Sequence, residues 1–205
     1  MITLQSPHTL KNSFLFPVQS KTGRKEILIG GLLSIIPLIG WILNMGHRIQ
    51  FVHQMIHGKE AFPAWKNYPH LLLNGLFTFL GMLYYNIPTF IFLFLYFHSH
   101  AIIFLAFSVL FFLIAIIAIP GYMTYFCINF NPKEIFNPFI ALRRCIQMRN
   151  YYWKAWLIAI CALLLSFLGL IGLGIGFLFT SVWFWQVAGF SFASAFTRYY
   201  KLGAC

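Results

Sequence analysis

Two long stretches of this chain, residues 71–128 and 155–196, contain no Asp, Glu, Lys or Arg. About 20 apolar residues in a helix already cross the ~30 Å hydrocarbon core of a bilayer. In that core every backbone N–H and C=O must be satisfied within the protein, which favours helices. The rest of the chain does not restore a soluble balance, because only 8% of all residues are charged, against roughly 25% in soluble domains. A solvated globular fold is excluded. The sequence predicts an all-α integral membrane protein with a single membrane domain.

Punctuation divides that domain. Residues 1–26 hold Lys11, Lys21, Arg24 and Lys25 among scattered polar residues and read as a polar, partly mobile basic arm; no cleavable presequence is expected. Residues 27–200 form the membrane domain and 201–205 a short tail. The first apolar segment, 27–45, carries Pro37 and Gly40. Segments 71–97 and 101–128 are separated only by His98, Ser99 and His100, which predicts a helical hairpin. The run 155–196 is too long for one crossing and is broken by Gly169, Gly172, Gly174 and Gly176, so it is read as a second hairpin, 155–171 and 175–196. The glycines lack a preceding strand and are read as a turn or close-packing element, not a nucleotide loop.

The chain has 14 Lys and Arg against three acids, Glu26, Glu60 and Glu134, a net charge of +11. In a membrane protein such an excess marks the cytoplasmic side. The arm, residues 46–70, residues 129–154 and the C-terminus carry all of it, while the hairpin tips carry none. If segment 27–45 dips into the bilayer and returns, every basic residue and the C-terminus lie on the cytoplasmic face. This re-entrant reading gives the cleanest partition and is preferred over a kinked spanning helix. Pro37 and Gly40 supply a bend, since proline removes a helix donor and clashes with the preceding turn.

Two amphipathic helices are expected at the cytoplasmic surface, each leading into a hairpin. In 46–58, Ile49, Val52, Met55 and Ile56 oppose Gln50, His53, Gln54 and His57, with Gly58 as the stop. Arg48 falls on the apolar side, where a cation snorkels, binds a lipid phosphate or pairs with a glutamate. Phe62, Pro63, Trp65 and Tyr68 follow as an aromatic loop suited to headgroups. In 132–152, Asn131-Pro132-Lys133-Glu134 and Asn137-Pro138 each have the form of a helix start. Arg143, Arg144 and Arg149 lie within it. Together with Arg48, Trp65 and Arg198 they are the candidate lipid- or partner-binding residues.

Chemistry-bearing clusters are sparse. His53 and His57 at i, i+4 are weak metal candidates lacking a closed ligand set, so neither a metal nor any other cofactor is expected. His98 and His100 read as a polar turn. Cys127, Cys145, Cys161 and Cys205 form no C-x-x-C, and with Cys127, Cys145 and Cys205 on or near the reducing face free thiols are expected; with Cys205 last, no prenylation box is expected. Small residues in the last segment, Gly189/Ala193 and Ser191/Ala195, predict tight helix contact, within the chain or by self-association. The last four segments lack the carboxylates that usually mark proton paths. No enzymatic activity is expected, and no nucleic-acid partner.

The pattern Gly46-x-Arg48, Gly58, Pro63-x-Trp65, Gly75 and Pro88, closed by Ala193-x-x-x-x-Arg198-Tyr199, resembles a family of small bacterial and archaeal multi-pass membrane proteins classed as a domain of unknown function. The layout is more loosely similar to the membrane domain of some glycerophosphodiester phosphodiesterases. The resemblance implies a prokaryotic cytoplasmic or derived internal membrane and brings no catalytic residues.

The expected function is that of a non-catalytic accessory, assembly or scaffold factor for other membrane proteins or lipids, held to anionic headgroups by its basic face. The alternative is a small-solute or amphipath transporter. That alternative requires Pro37, Asn74, Asn86 and Gln186 to converge on one polar track.

Overall fold

A computed structural model describes residues 2–171 and 174–202. Gly172 of the glycine run and Cys205 lie outside the described residues, which are helical with no strand among them. The elements are α1 (Leu10–Leu15), α2 (Lys21–Leu33), α3 (Ile39–Ile56), α4 (Tyr68–Tyr85), α5 (Ile87–Ser99), α6 (Ile102–Asn129), α7 (Pro138–Gln147), α8 (Asn150–Ser166) and α9 (Ile175–Tyr200). Of these, α6, α8 with its 3₁₀ extension to Leu170, and α9 are long and apolar enough to cross a membrane. The pair α4 and α5, bent by 47°, supplies a fourth candidate. The bend falls at Asn86; Pro88 has no N–H for the Tyr84 carbonyl four residues back and its ring crowds that carbonyl, which breaks the helix there.

The arm is more ordered than its composition suggests. Thr9 Oγ1 caps α1 by accepting from Asn12 N, and Ser20 Oγ caps α2 by accepting from Gly23 N. Between these caps Phe16 is fully buried and stacks on Phe190 of α9 at 4.4 Å. The arm packs on α9 through this ring and through polar contacts, His8 with Ser191 and Arg198 with Gln5 O.

The first apolar segment is two helices. α2 and α3 run antiparallel on either side of a turn at Ser34–Leu38, as three cross-contacts show. Glu26 meets His47, Gly30 O accepts from Asn44 Nδ2, and a Cβ on Gly40 would strike Leu33 O. Leu38 takes φ 63° at this turn. The turn leaves Ile35, Ile36, Leu38 and Trp41 exposed.

α3 continues without interruption through residues 46–56, so the separate surface helix expected over 46–58 is the second half of a packed helix. Ile49, Phe51, Val52 and Ile56 are buried in the core. The reason is visible at two glycines. A Cβ on Gly46 would lie 1.8 Å from Leu71 O, and one on Gly75 would lie 1.9 Å from Ile42 O. The backbones of α3 and α4 touch there, closer than any side chain permits.

The helix expected over 132–152 is likewise divided. Asn131 caps only a 3₁₀ turn at Pro132–Glu134, whereas Asn137 Oδ1 accepts from Ile140 N and starts α7. Arg149, at φ 45°, breaks the path between α7 and α8. α8 and α9 lie side by side, with Ser191 Oγ donating to Ala155 O and Thr180 Oγ1 to Ser166 O. Ser191, Ala193 and Ala195 are buried within the chain, which assigns the small-residue face to intramolecular packing.

Candidate functional site

The basic segments meet at one end of the bundle. Arg198 Nη2 donates to Gln5 O at 2.9 Å, which ties the arm to the end of α9. Tyr200 Oη donates to Arg144 O, which ties α9 to α7. Arg144 Nη1 donates to Glu134 Oε2 at 2.7 Å, and its guanidinium covers the Tyr125 ring at 3.3 Å. Arg143 and Arg149 are exposed beside Phe139, which is 85% exposed, and Ile146. Of the sequence candidates on this face, Arg143 and Arg149 are therefore free to meet a headgroup or partner, while Arg144 and Arg198 hold the fold. His8 docks on the same end, with Nε2 2.8 Å from Ser191 Oγ; burial, helped by Lys154 and Arg198, lowers its pKa to about 4.

Trp65 is not at a surface. Its ring stacks on His47 at 4.3 Å and its Nε1 donates to Glu26 O at 3.1 Å. The Glu26 carboxylate accepts from His47 Nε2 at 2.6 Å and from Ala64 N at 3.1 Å. Of the aromatic loop expected at headgroups, Phe62 and Trp65 fold inward around this acid, whereas Pro63 and Tyr68 stay exposed. Sequence inspection missed the pair, because Glu26 and His47 are joined only by the antiparallel turn between them. The one available signal was a carboxylate at the threshold of an apolar segment.

His53 Nδ1 donates to Cys127 O at 2.7 Å, and the His53 and His57 rings lie 4.2 Å apart. Among the described residues no group of three or more His, Cys, Asp or Glu is placed to hold a metal ion. Asn74 Nδ2 lies 3.2 Å from His70 Nδ1, Asn86 Nδ2 donates to Met82 O, and Pro37 is exposed at the α2–α3 turn. Three of the four residues of the expected polar track therefore stand apart from one another. Neither cavity described below includes them in its wall.

Gln186 and Arg48 are the exceptions. Arg48 is only 7% exposed, and among the described residues neither ion pair involves it: Glu26 is taken by His47 and Glu134 by Arg144. The reading of Arg48 as a glutamate partner is thus corrected, and so is simple snorkelling, which would leave the head in water. Its guanidinium sits over Trp185 at 4.5 Å, and Nη2 donates to the weak acceptor Met123 Sδ at 3.7 Å. Nε has no partner. The stem rests on Gly189, where a Cβ would come within 3.2 Å of Arg48 Cγ. A guanidinium keeps its proton in proteins, so Arg48 is a buried cation.

Two cavities share Arg48. One, of about 470 Å³, lies between the α2–α3 turn, α8 and α9 and includes Asn44 and Gln186. The other, of about 370 Å³, lies between α3, α6, α8 and α9 and includes Met123 and Trp156. Leu163, Phe184 and Trp185 belong to both walls. Gln186 is 1% exposed, and neither its Nε2 nor its Oε1 has a partner; Trp156 Nε1 and Asn44 Oδ1 are also unsatisfied. The cavity walls are otherwise mainly apolar. A cation with an unmatched Nε, in walls that also hold unmatched amide and indole groups, can receive an anionic, polar group.

These features define a class: an all-helical multi-pass membrane protein with three or four candidate spans and an internal cationic site. A family model matches residues 29–180, and the chain belongs to that family, described as "Protein of unknown function (DUF4013)". Comparison with curated proteins and with solved structures returned no significant match.

Proposed function

We propose that this chain is a non-catalytic accessory or assembly factor of a prokaryotic cytoplasmic or derived internal membrane, binding lipids and other membrane proteins. In this reading α4–α5 with α6, and α8 with α9, are two transmembrane hairpins. α2–α3 is a re-entrant hairpin whose exposed Ile35, Ile36, Leu38 and Trp41 enter the bilayer, and the C-terminus is cytoplasmic. The observation that carries it is the joining of the arm, α7 and the end of α9 through Arg198 and Tyr200. This gathers much of the Lys and Arg excess at one end, where α7 presents Phe139 and Ile146 next to Arg143 and Arg149. Apolar and basic side chains together suit an anionic membrane surface. The dispersed positions of Pro37, Asn74 and Asn86 give the transporter reading no comparable support.

The test is isolation of the full chain from native membranes in mild detergent, with mass spectrometry of proteins and lipids together. A membrane protein recovered in stoichiometric amount, plus enrichment of anionic lipid, is the expected result. Solute flux in proteoliposomes by the chain alone, with no copurifying protein, overturns it.

A further inference from the structure

We propose that the two cavities joined at Arg48 form a binding site for one diacyl lipid with an anionic phosphate headgroup. The inference deepens the lipid-binding part of the function proposed above and rests on it. Three observations converge. First, a buried guanidinium without a carboxylate partner is costly, because its lost hydration is not replaced; Trp185 and Met123 supply only a ring face and a thioether. Second, each wall also holds an unmatched donor, Gln186 Nε2 in one and Trp156 Nε1 in the other, the first beside the unmatched acceptors Gln186 Oε1 and Asn44 Oδ1, which a headgroup hydroxyl can serve. A phosphate can accept from several such donors at once, and charge-assisted bonds of this kind are roughly twice as strong as neutral ones. Third, the cavity volumes of about 470 and 370 Å³ each fall within the roughly 300–1,000 Å³ of small-molecule sites. They share Arg48, Leu163, Phe184 and Trp185 and are otherwise lined by different, mainly apolar residues. A head at Arg48 with one hydrocarbon chain in each cavity fits this arrangement. A free phosphate would leave both cavities unfilled, and a single-chain fatty acid would leave one.

The experiment is native mass spectrometry of the full-length, delipidated chain in nonionic detergent at physiological salt. Phosphatidylglycerol, phosphatidylcholine, oleate and inorganic phosphate are titrated separately. The expected result is a single phosphatidylglycerol per chain, with phosphatidylcholine and oleate at least ten-fold weaker and inorganic phosphate undetected. Arg48→Gln weakens phosphatidylglycerol at least ten-fold. Ala159→Phe, which fills the second cavity without altering the cation, also weakens it at least three-fold and keeps the test valid should Arg48→Gln fail to fold. Equal binding of phosphatidylcholine, oleate or phosphate overturns the proposal, as does undiminished phosphatidylglycerol binding by a folded Arg48→Gln or Ala159→Phe chain. Partner capture from native membranes by the same variants separates the two readings. A partner retained without the Arg48 adduct leaves the accessory role standing and removes the site, whereas an Arg48-dependent adduct without any partner does the reverse.

Discussion

Glu26 Oε2 and His47 Nε2 lie 2.6 Å apart, both buried, where α2 and α3 pass antiparallel. The contact joins the middle of α2 to the middle of α3, and Ala64 N and Trp65 Nε1 bind the same glutamate. Glu26→Leu leaves the His47 donor and Ala64 N–H buried without an acceptor. The loss is about 3 kcal/mol or more, read as a fall in the detergent melting temperature. An unchanged melting temperature would show that the pair does not hold the hairpin.

Gly46 and Gly75 bring α3 and α4 into backbone contact. Gly46→Ala must displace the Leu71 carbonyl, a rigid backbone atom, so a cost of about 1–3 kcal/mol follows. Gly58→Ala makes a useful contrast, because nothing lies within 4 Å of a Cβ there and its effect comes from its positive φ alone. Thermal denaturation of the two variants distinguishes packing from backbone strain.

His8 couples the arm to α9 in a pH-dependent way. Its folded pKa, about 4, lies below the ordinary histidine value of 6.5, chiefly through burial. The folded state therefore binds fewer protons than the undocked arm between these values, and docking weakens as pH falls through this window. Hydrogen exchange over residues 4–16 should accelerate from pH 6.5 towards 4, after correction for intrinsic rates. His8→Gln should flatten that dependence.

Arg143 and Arg149 are exposed, whereas Arg144 is engaged with Glu134 and Tyr125. Vesicle flotation should show weaker binding to anionic liposomes for Arg143→Gln and Arg149→Gln, by about 1 kcal/mol each. Arg144→Gln should instead lower thermal stability, by about 1 kcal/mol. A larger flotation defect for Arg144→Gln than for the other two would reverse the assignment.

Cys127 and Cys145 are buried, while Cys161 is half-buried. In a Cys205→Ser background, maleimide should modify Cys161 first, and denaturant should be needed for the other two. For Cys145 burial also raises the thiol pKa to about 11, which reduces the reactive thiolate. Equal labelling rates in the native state would contradict the packing of α7 on α6.

How much of this was legible depended on the range over which each signal acts. The membrane segments followed from uncharged runs, and the start of α7 from Asn137-Pro138, because both are local. Asn131-Pro132 offers the same signal yet opens only a 3₁₀ turn, since Ile135 is drawn into the core beside Tyr122 and ends it. The amphipathic stripe in 46–57 was correctly periodic but wrongly placed at a surface. The apolar side that a membrane interface would have covered is covered by α4, α6 and α9. Trp65 failed for a related reason: aromatic composition predicts a headgroup belt, while its actual partners are 39 and 18 positions away.

The sequence by itself determined the solvent of this protein, its helical character and the uneven placement of its cations, because these are properties of composition and short-range period. Tertiary structure decided which polar groups are matched. Three glutamates and fourteen basic residues permit many pairings, and only the antiparallel turn at Ser34–Leu38 gives Glu26 to His47. The same folding leaves Arg48 inside, against Trp185 and two apolar cavities. A side chain's charge is written in the sequence, but its desolvation and its counter-charge arise only when distant helices meet.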